Sequence, residues 1–94
     1  MKNNHRSVRR TLTIGNPQGL HARPAVKLTK LAKEFHAHIR VAVADGQFVN
    51  AKSPNAVMKL KARQGDAFAV EADGDDAHKA IWAIADLVAR NFDE

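Results

Sequence analysis

The chain has no cysteine and no tyrosine, a single tryptophan, three prolines and fewer acidic than basic residues. Without cysteine it has no disulfides, no thiolate zinc site and no thiol nucleophile. No apolar run approaches the ~18–20 residues of a membrane-spanning helix. No basic start followed by an apolar stretch and a small-residue cleavage site marks a signal peptide. These absences predict a cytoplasmic protein with no membrane partner. There is no glycine-rich P-loop and no kinase signature, so no motif here draws phosphate from a nucleotide.

Ten acidic against fifteen basic residues leave a formal net charge of +5. Part of that excess lies in Lys2, Arg6, Arg9 and Arg10. The expected organisation is a basic, flexible segment over 1–7 and a single domain over 8–94. Such an arm is either a solvated terminus or a contact for an acidic surface or nucleic acid. Ninety-four residues support one domain with one modest core.

Periodicity predicts seven short elements. Val8 to Ile14 reads as a strand, and Gly15 to Gly19 as a loop by its turn residues. An amphipathic helix follows, with Ala25, Leu28, Leu31, Ala32 and Phe35 on one side and Lys27, Lys30 and Lys33 exposed. His36 to Ala44 alternates as a second strand, which puts His36 and His38 on one face. Asp45-Gly46 is a hairpin turn signal, and Gln47 to Lys52 returns. Ser53 as N-cap and Pro54 at the first helical position open a second helix that Arg63-Gln64-Gly65 closes. Ala67 to Asp73 is a fourth strand. Asp75 to Asn91 is a last helix with Ala77, Ile81, Ile84, Val88 and Phe92 inward and Trp82 at the edge of the packed stripe. The order β-α-β-β-α-β-α predicts an α+β layer of three helices on one sheet face.

The most informative residues are Gly19-Leu20-His21-Ala22-Arg23-Pro24-Ala25. Proline is tolerated in a first helical turn because its missing N–H has no intrahelical partner there. His21 therefore stands at a helix start, where free N–H groups and the positive end of the dipole favour an anion. An imidazole titrates near pH ~6.5, so a large neutral fraction holds a lone pair able to attack phosphorus. Arg23 would present planar donors to phosphate oxygens.

This heptad and its amphipathic helix resemble the active-site segment of the HPr family, small phosphocarriers of the phosphoenolpyruvate-dependent phosphotransferase system. The resemblance continues through Ala51-Lys52-Ser53, Val57-Met58-Lys59-Leu60 and Gln64-Gly65-Asp66, and covers about residues 8 to 92. It implies an HPr-like open-faced β-sandwich whose four antiparallel strands are ordered 1-4-2-3. It implies that His21 takes a phosphoryl group on Nδ1 from phosphorylated enzyme I and hands it to an EIIA-type acceptor. Arg23 would assist electrostatically, with Ala22 and Arg23 holding phosphate. Val26, Lys27, Asn55 and Met58 would contact partners. The protein would be a monomeric carrier rather than a turnover enzyme, with no cofactor and no metal.

Ser53 has two readings. As an N-cap it needs only to accept a backbone hydrogen bond, worth about 1 kcal/mol. In some family members the matching serine is phosphorylated by a regulatory kinase. Pro54 and Asn55 stand where apolar residues are common in the family, and Gln18 where a shorter Asn or Ser is common. The Asp45-Gly46 hairpin, one residue longer than usual, and the ending Asn91-Phe92-Asp93-Glu94 resemble the nitrogen-related NPr branch. The alternatives are a regulatory binding module controlled by its phosphorylation state, and a small basic nucleic-acid-binding domain. The lack of an aromatic base-stacking motif weighs against the latter. His36 and His38 without a third ligand make surface histidines, not a metal site.

Overall fold

A computed structural model describes residues 7–94. The basic segment lies outside them apart from Ser7, which is already the first residue of strand β1 (Ser7–Thr13). Helix α1 (Ala22–Ala32), strands β2 (His38–Val43) and β3 (Val49–Asn50), helix α2 (Pro54–Lys59), strand β4 (Ala67–Asp73) and helix α3 (Ala77–Ala89) follow. A 3-10 turn at Asn91–Asp93 ends the order.

All pairings are antiparallel, and the sheet runs β1-β4-β2-β3 as the resemblance implied. β4 is the spine between β1 and β2. Its alternation sends Phe68, Val70 and Ala72 into the core, each fully buried. Ile39 and Val41 of β2, Leu28 of α1, Val57 of α2, Ile84 of α3 and Phe92 fill the same layer. The opposite sheet face is open, but Phe48 lies across it between Arg9 and Arg40, with guanidinium-to-ring distances of 4.9 and 5.5 Å.

Several expectations need correction, among them the returning strand, which is only Val49–Asn50, and the last helix, which ends at Ala89 rather than Asn91. β2 begins at His38, so His36 lies ahead of the strand and does not share its face. The cause is Asp76, whose carboxylate accepts from the His36 and Ala37 backbone N–H groups, both at 2.8 Å. The His36 bond, chiefly, holds the Asp76 carboxyl below the usual carboxylate range. Helix α2 stops at Lys59, well before Arg63, because Lys61 turns to φ 54°. Trp82 is not a packed edge residue: it is 74% exposed on the outer side of α3.

Ser53 caps α2, its Oγ accepting from Ala56 N at 3.3 Å, with Pro54 in the first turn. That bond is long. Ser53→Ala is therefore expected to cost only about 0.5–1 kcal/mol, read as a lower urea midpoint at unchanged slope. Among the described residues no helix is long and apolar enough to cross a membrane, and no group of three His, Asp or Glu could hold a metal.

Candidate functional site

The loop before α1 is held from both sides. Gly65 N donates to Ile14 O at 2.7 Å, Gln64 Nε2 to Gly15 O at 3.0 Å, and Leu20 N to Ala62 O at 2.9 Å. The Gln64-Gly65-Asp66 turn thus anchors the far end of β1, while the exit of α2 anchors Leu20. Inside the loop, buried Asn16 accepts from Gly19 N through its backbone oxygen at 3.0 Å and donates Nδ2 to Gly19 O at 2.7 Å. Gly19 closes this turn at φ 67°, packed against the Ala62 and Arg63 backbone. The residue two positions on is His21.

His21 is the N-cap of α1, with φ −82° and ψ −165° and no side-chain cap bond. Its ring is therefore not spent on capping the helix. Its carbonyl accepts from Ala25 N at 3.0 Å, and Pro24 has no N–H. The first-turn donors without an intrahelical acceptor are those of Ala22 and Arg23. They accompany the positive end of the helix dipole beside the imidazole.

The site also contains a carboxylate. Glu94 Oε1 accepts from Arg23 Nε and Nη2 at 3.0 and 2.8 Å, and lies 3.9 Å from His21 Nε2. Glu94 Oε2 accepts from Lys27 Nζ at 2.7 Å, and the same ammonium donates to Phe92 O at 2.8 Å. The Lys27 ammonium, with Arg23 adding to it, holds the Glu94 carboxyl below the usual carboxylate range against the opposing effect of partial desolvation. Lys27 is thus committed to Phe92 and Glu94 and is not the free surface charge expected of it. Asn16, Pro17, Gln18, His21, Arg23 and Glu94 bound a hollow of about 240 Å³.

This carboxylate pairs Arg23, the cation expected to meet a phosphoryl group, together with Lys27. Glu94→Gln is expected to raise phosphoryl acceptance about two- to ten-fold at low salt, with the gain shrinking at high salt. Initial rates against ionic strength check it, and an unchanged rate would show that the pairing does not compete. The pH sign follows from the lowered pKa. The Glu94 contacts are complete above the ordinary carboxylate range and are lost as pH falls through the lowered value.

Of the expected docking residues, Val26 is 42% exposed on α1, Asn55 is exposed on α2, and Met58 is partly buried against the core. α1 and α2 pack side by side, so these residues lie on neighbouring helices. The sequence reading missed Asn16 and Glu94. An Asn opening a Pro- and Gly-containing turn is a signal for the first. Nothing local signals the second, which is 71 residues from Arg23.

Residues 8–90 match the family model described as "PTS HPr component phosphorylation site". The phosphocarrier protein HPr of Xylella fastidiosa is 40% identical over 83 residues, spanning 88% of this chain and 92% of that protein. The phosphocarrier protein NPr of Escherichia coli is 35% identical over 88 residues, spanning 94% and 98%. The crystal structure of HPr-C-His from Thermoanaerobacter tengcongensis superposes with a TM-score of 0.87 at 40% identity, covering 93% of this chain and 97% of that one. A family match over nearly the whole chain, on a backbone that superposes this well, makes this chain a member of the HPr family of phosphotransferase-system phosphocarriers.

Proposed function

We propose that His21 accepts a phosphoryl group from phosphorylated enzyme I and passes it to an EIIA-type protein. The observation that supports this reading is an imidazole at the N-cap of α1 that makes no cap bond, stands beside the Ala22 and Arg23 N–H groups and shares a hollow with Arg23. The ring enters neutral, with its proton on the other nitrogen. The Nδ1 lone pair forms the N–P bond as the donor's bond to phosphorus breaks. Discharge reverses these steps on the acceptor.

Arg23 compensates charge on the phosphoryl oxygens in transit, and the helix N-terminus compensates it at rest. A carrier must not hold its cargo tightly, so the helper's contribution belongs in the transition state. Ser53 is assigned the capping role, since its Oγ already serves Ala56. The longer Asp45-Gly46 hairpin and the Asn91-Phe92-Asp93-Glu94 ending support an acceptor of the nitrogen-related branch, and the departure at Pro54 and Asn55 weighs against a sugar-specific one. The carrier works as a diffusible monomer of the cytoplasm.

The test is incubation with phosphoenolpyruvate and enzyme I, followed by phosphosite mapping by mass spectrometry at neutral-to-alkaline pH. A phosphoramidate on His21 is expected, labile in acid and stable in alkali, and discharged faster by an EIIA of the nitrogen branch than by one for sugars. No labelling beside a labelled HPr control, or acid-stable phosphate on Ser53 alone, would sink the proposal.

A further inference from the structure

Trp82 has no part in the chemistry of His21, yet it is 74% exposed, while tryptophan is ordinarily well buried. It stands between two hollows on the outer face of α3. One, of about 590 Å³, is lined by His78, Lys79 and Ala83; the other, of about 260 Å³, reaches Arg10 of β1 and Ala85. Neither hollow shares a residue with the one around His21. The first is a shallow, open and mostly apolar depression that offers the indole face to an apolar side chain.

The charges at the rim identify the occupant. Lys79 and Arg10 are exposed and carry no ion pair among the described residues, whereas Asp86 is paired with Arg90. The two unpaired charges beside the ring are therefore both positive and attract carboxylates. A second copy of this chain would set like charges against one another. A nucleic acid would need a longer run of cations than Arg10 and Lys79 provide, whereas a short acidic segment needs no more than these two. The neighbouring strand adds a third argument. β1 is the edge of the sheet, and no described strand pairs with its outer side. Its backbone offers hydrogen bonds to an added strand beside the indole.

We propose that the Trp82 face, with the free edge of β1, docks an extended acidic segment of another protein, one apolar side chain on Trp82 and carboxylates on Arg10 and Lys79. The segment binds whether or not His21 carries phosphate, so a partner held here leaves the His21 face open to its own donors and acceptors.

The full chain with photo-reactive p-benzoylphenylalanine in place of Ala83 is irradiated in its native cells, and the cross-linked peptide is sequenced. A peptide rich in Asp and Glu around an apolar residue is expected, lost in an Arg10→Glu/Lys79→Glu variant and retained in His21→Ala. That peptide is then synthesised and titrated into the purified protein. Trp82 is the only tryptophan and there is no tyrosine, so its emission reports this face alone. A blue shift is expected, with affinity at least about ten-fold weaker in the double charge variant at an unchanged melting temperature. Adducts confined to lipid, nucleic acid or a second copy would overturn the proposal. So would no adduct above that from the same label at Lys33, or a peptide that binds without shifting the emission.

Discussion

Replacing His21 by alanine is expected to abolish acid-labile phosphorylation and leave the melting temperature nearly unchanged. The imidazole is the group in the site with a lone pair suited to phosphorus, and no neighbouring side chain replaces it. Acceptance from enzyme I should fall by at least about a thousand-fold, the scale of losing a nucleophile outright. Stability is a separate matter, because the ring makes no cap bond and its side chain is 36% exposed. Exchange at an N-cap that lacks a side-chain bond costs a few tenths of a kcal/mol, roughly 1–2 °C in a domain of this size. Arg23→Ala should lower the rate about ten- to a hundred-fold, equivalent to roughly 1.4–2.7 kcal/mol, with partial recovery in Arg23→Lys. Substantial acid-labile label on His21→Ala would overturn the role proposed for His21.

Gly19→Ala should do the reverse, damaging stability first and chemistry through it. At φ 67° an alanine pays roughly 1–2 kcal/mol for the left-handed conformation. Its Cβ would also sit 2.3 Å from Ala62 O and 3.0 Å from Arg63 Cα, both backbone atoms that cannot swing aside. Relief requires the loop and the exit of α2 to part, straining the Leu20–Ala62 hydrogen bond. A loss of about 3 kcal/mol is expected, or about 12–24 °C in melting temperature. Displacing His21 by about an ångström would slow transfer about a hundred-fold in the protein that remains folded. Gly65→Ala is the control. It has φ 91° but nothing within 4 Å of the added Cβ, so only the conformational cost remains. Equal losses in the two variants would show that the packing of Gly19 against Ala62 contributes nothing.

The two variants separate what this sequence says locally from what folding adds. Gly19 to Ala25 announces a helix start with a histidine at its cap, because capping and proline placement depend on a few adjacent residues. Element order, the limits of β4 and the Ser53 cap were legible for the same reason. So was the inward stripe of α3, through Ala77, Ile81, Ile84 and Val88, whereas Phe92 is buried from the turn beyond the helix. Strand order was not contained in the periodicity and came from the family resemblance, since alternation reveals a face and not a neighbour.

What the sequence by itself determined is therefore the set of elements and the identity of the histidine poised at an anion-favouring helix end. Only the tertiary structure decided that Glu94 reaches Arg23 and Lys27 from 71 and 67 residues away, and that Asp76 delays β2 by holding His36 and Ala37. It alone placed Phe48 across the sheet and left Trp82 outside the core. The physical reason is common to all four. Each depends on where two distant elements come to rest against the same core, and no pattern within either one encodes that meeting.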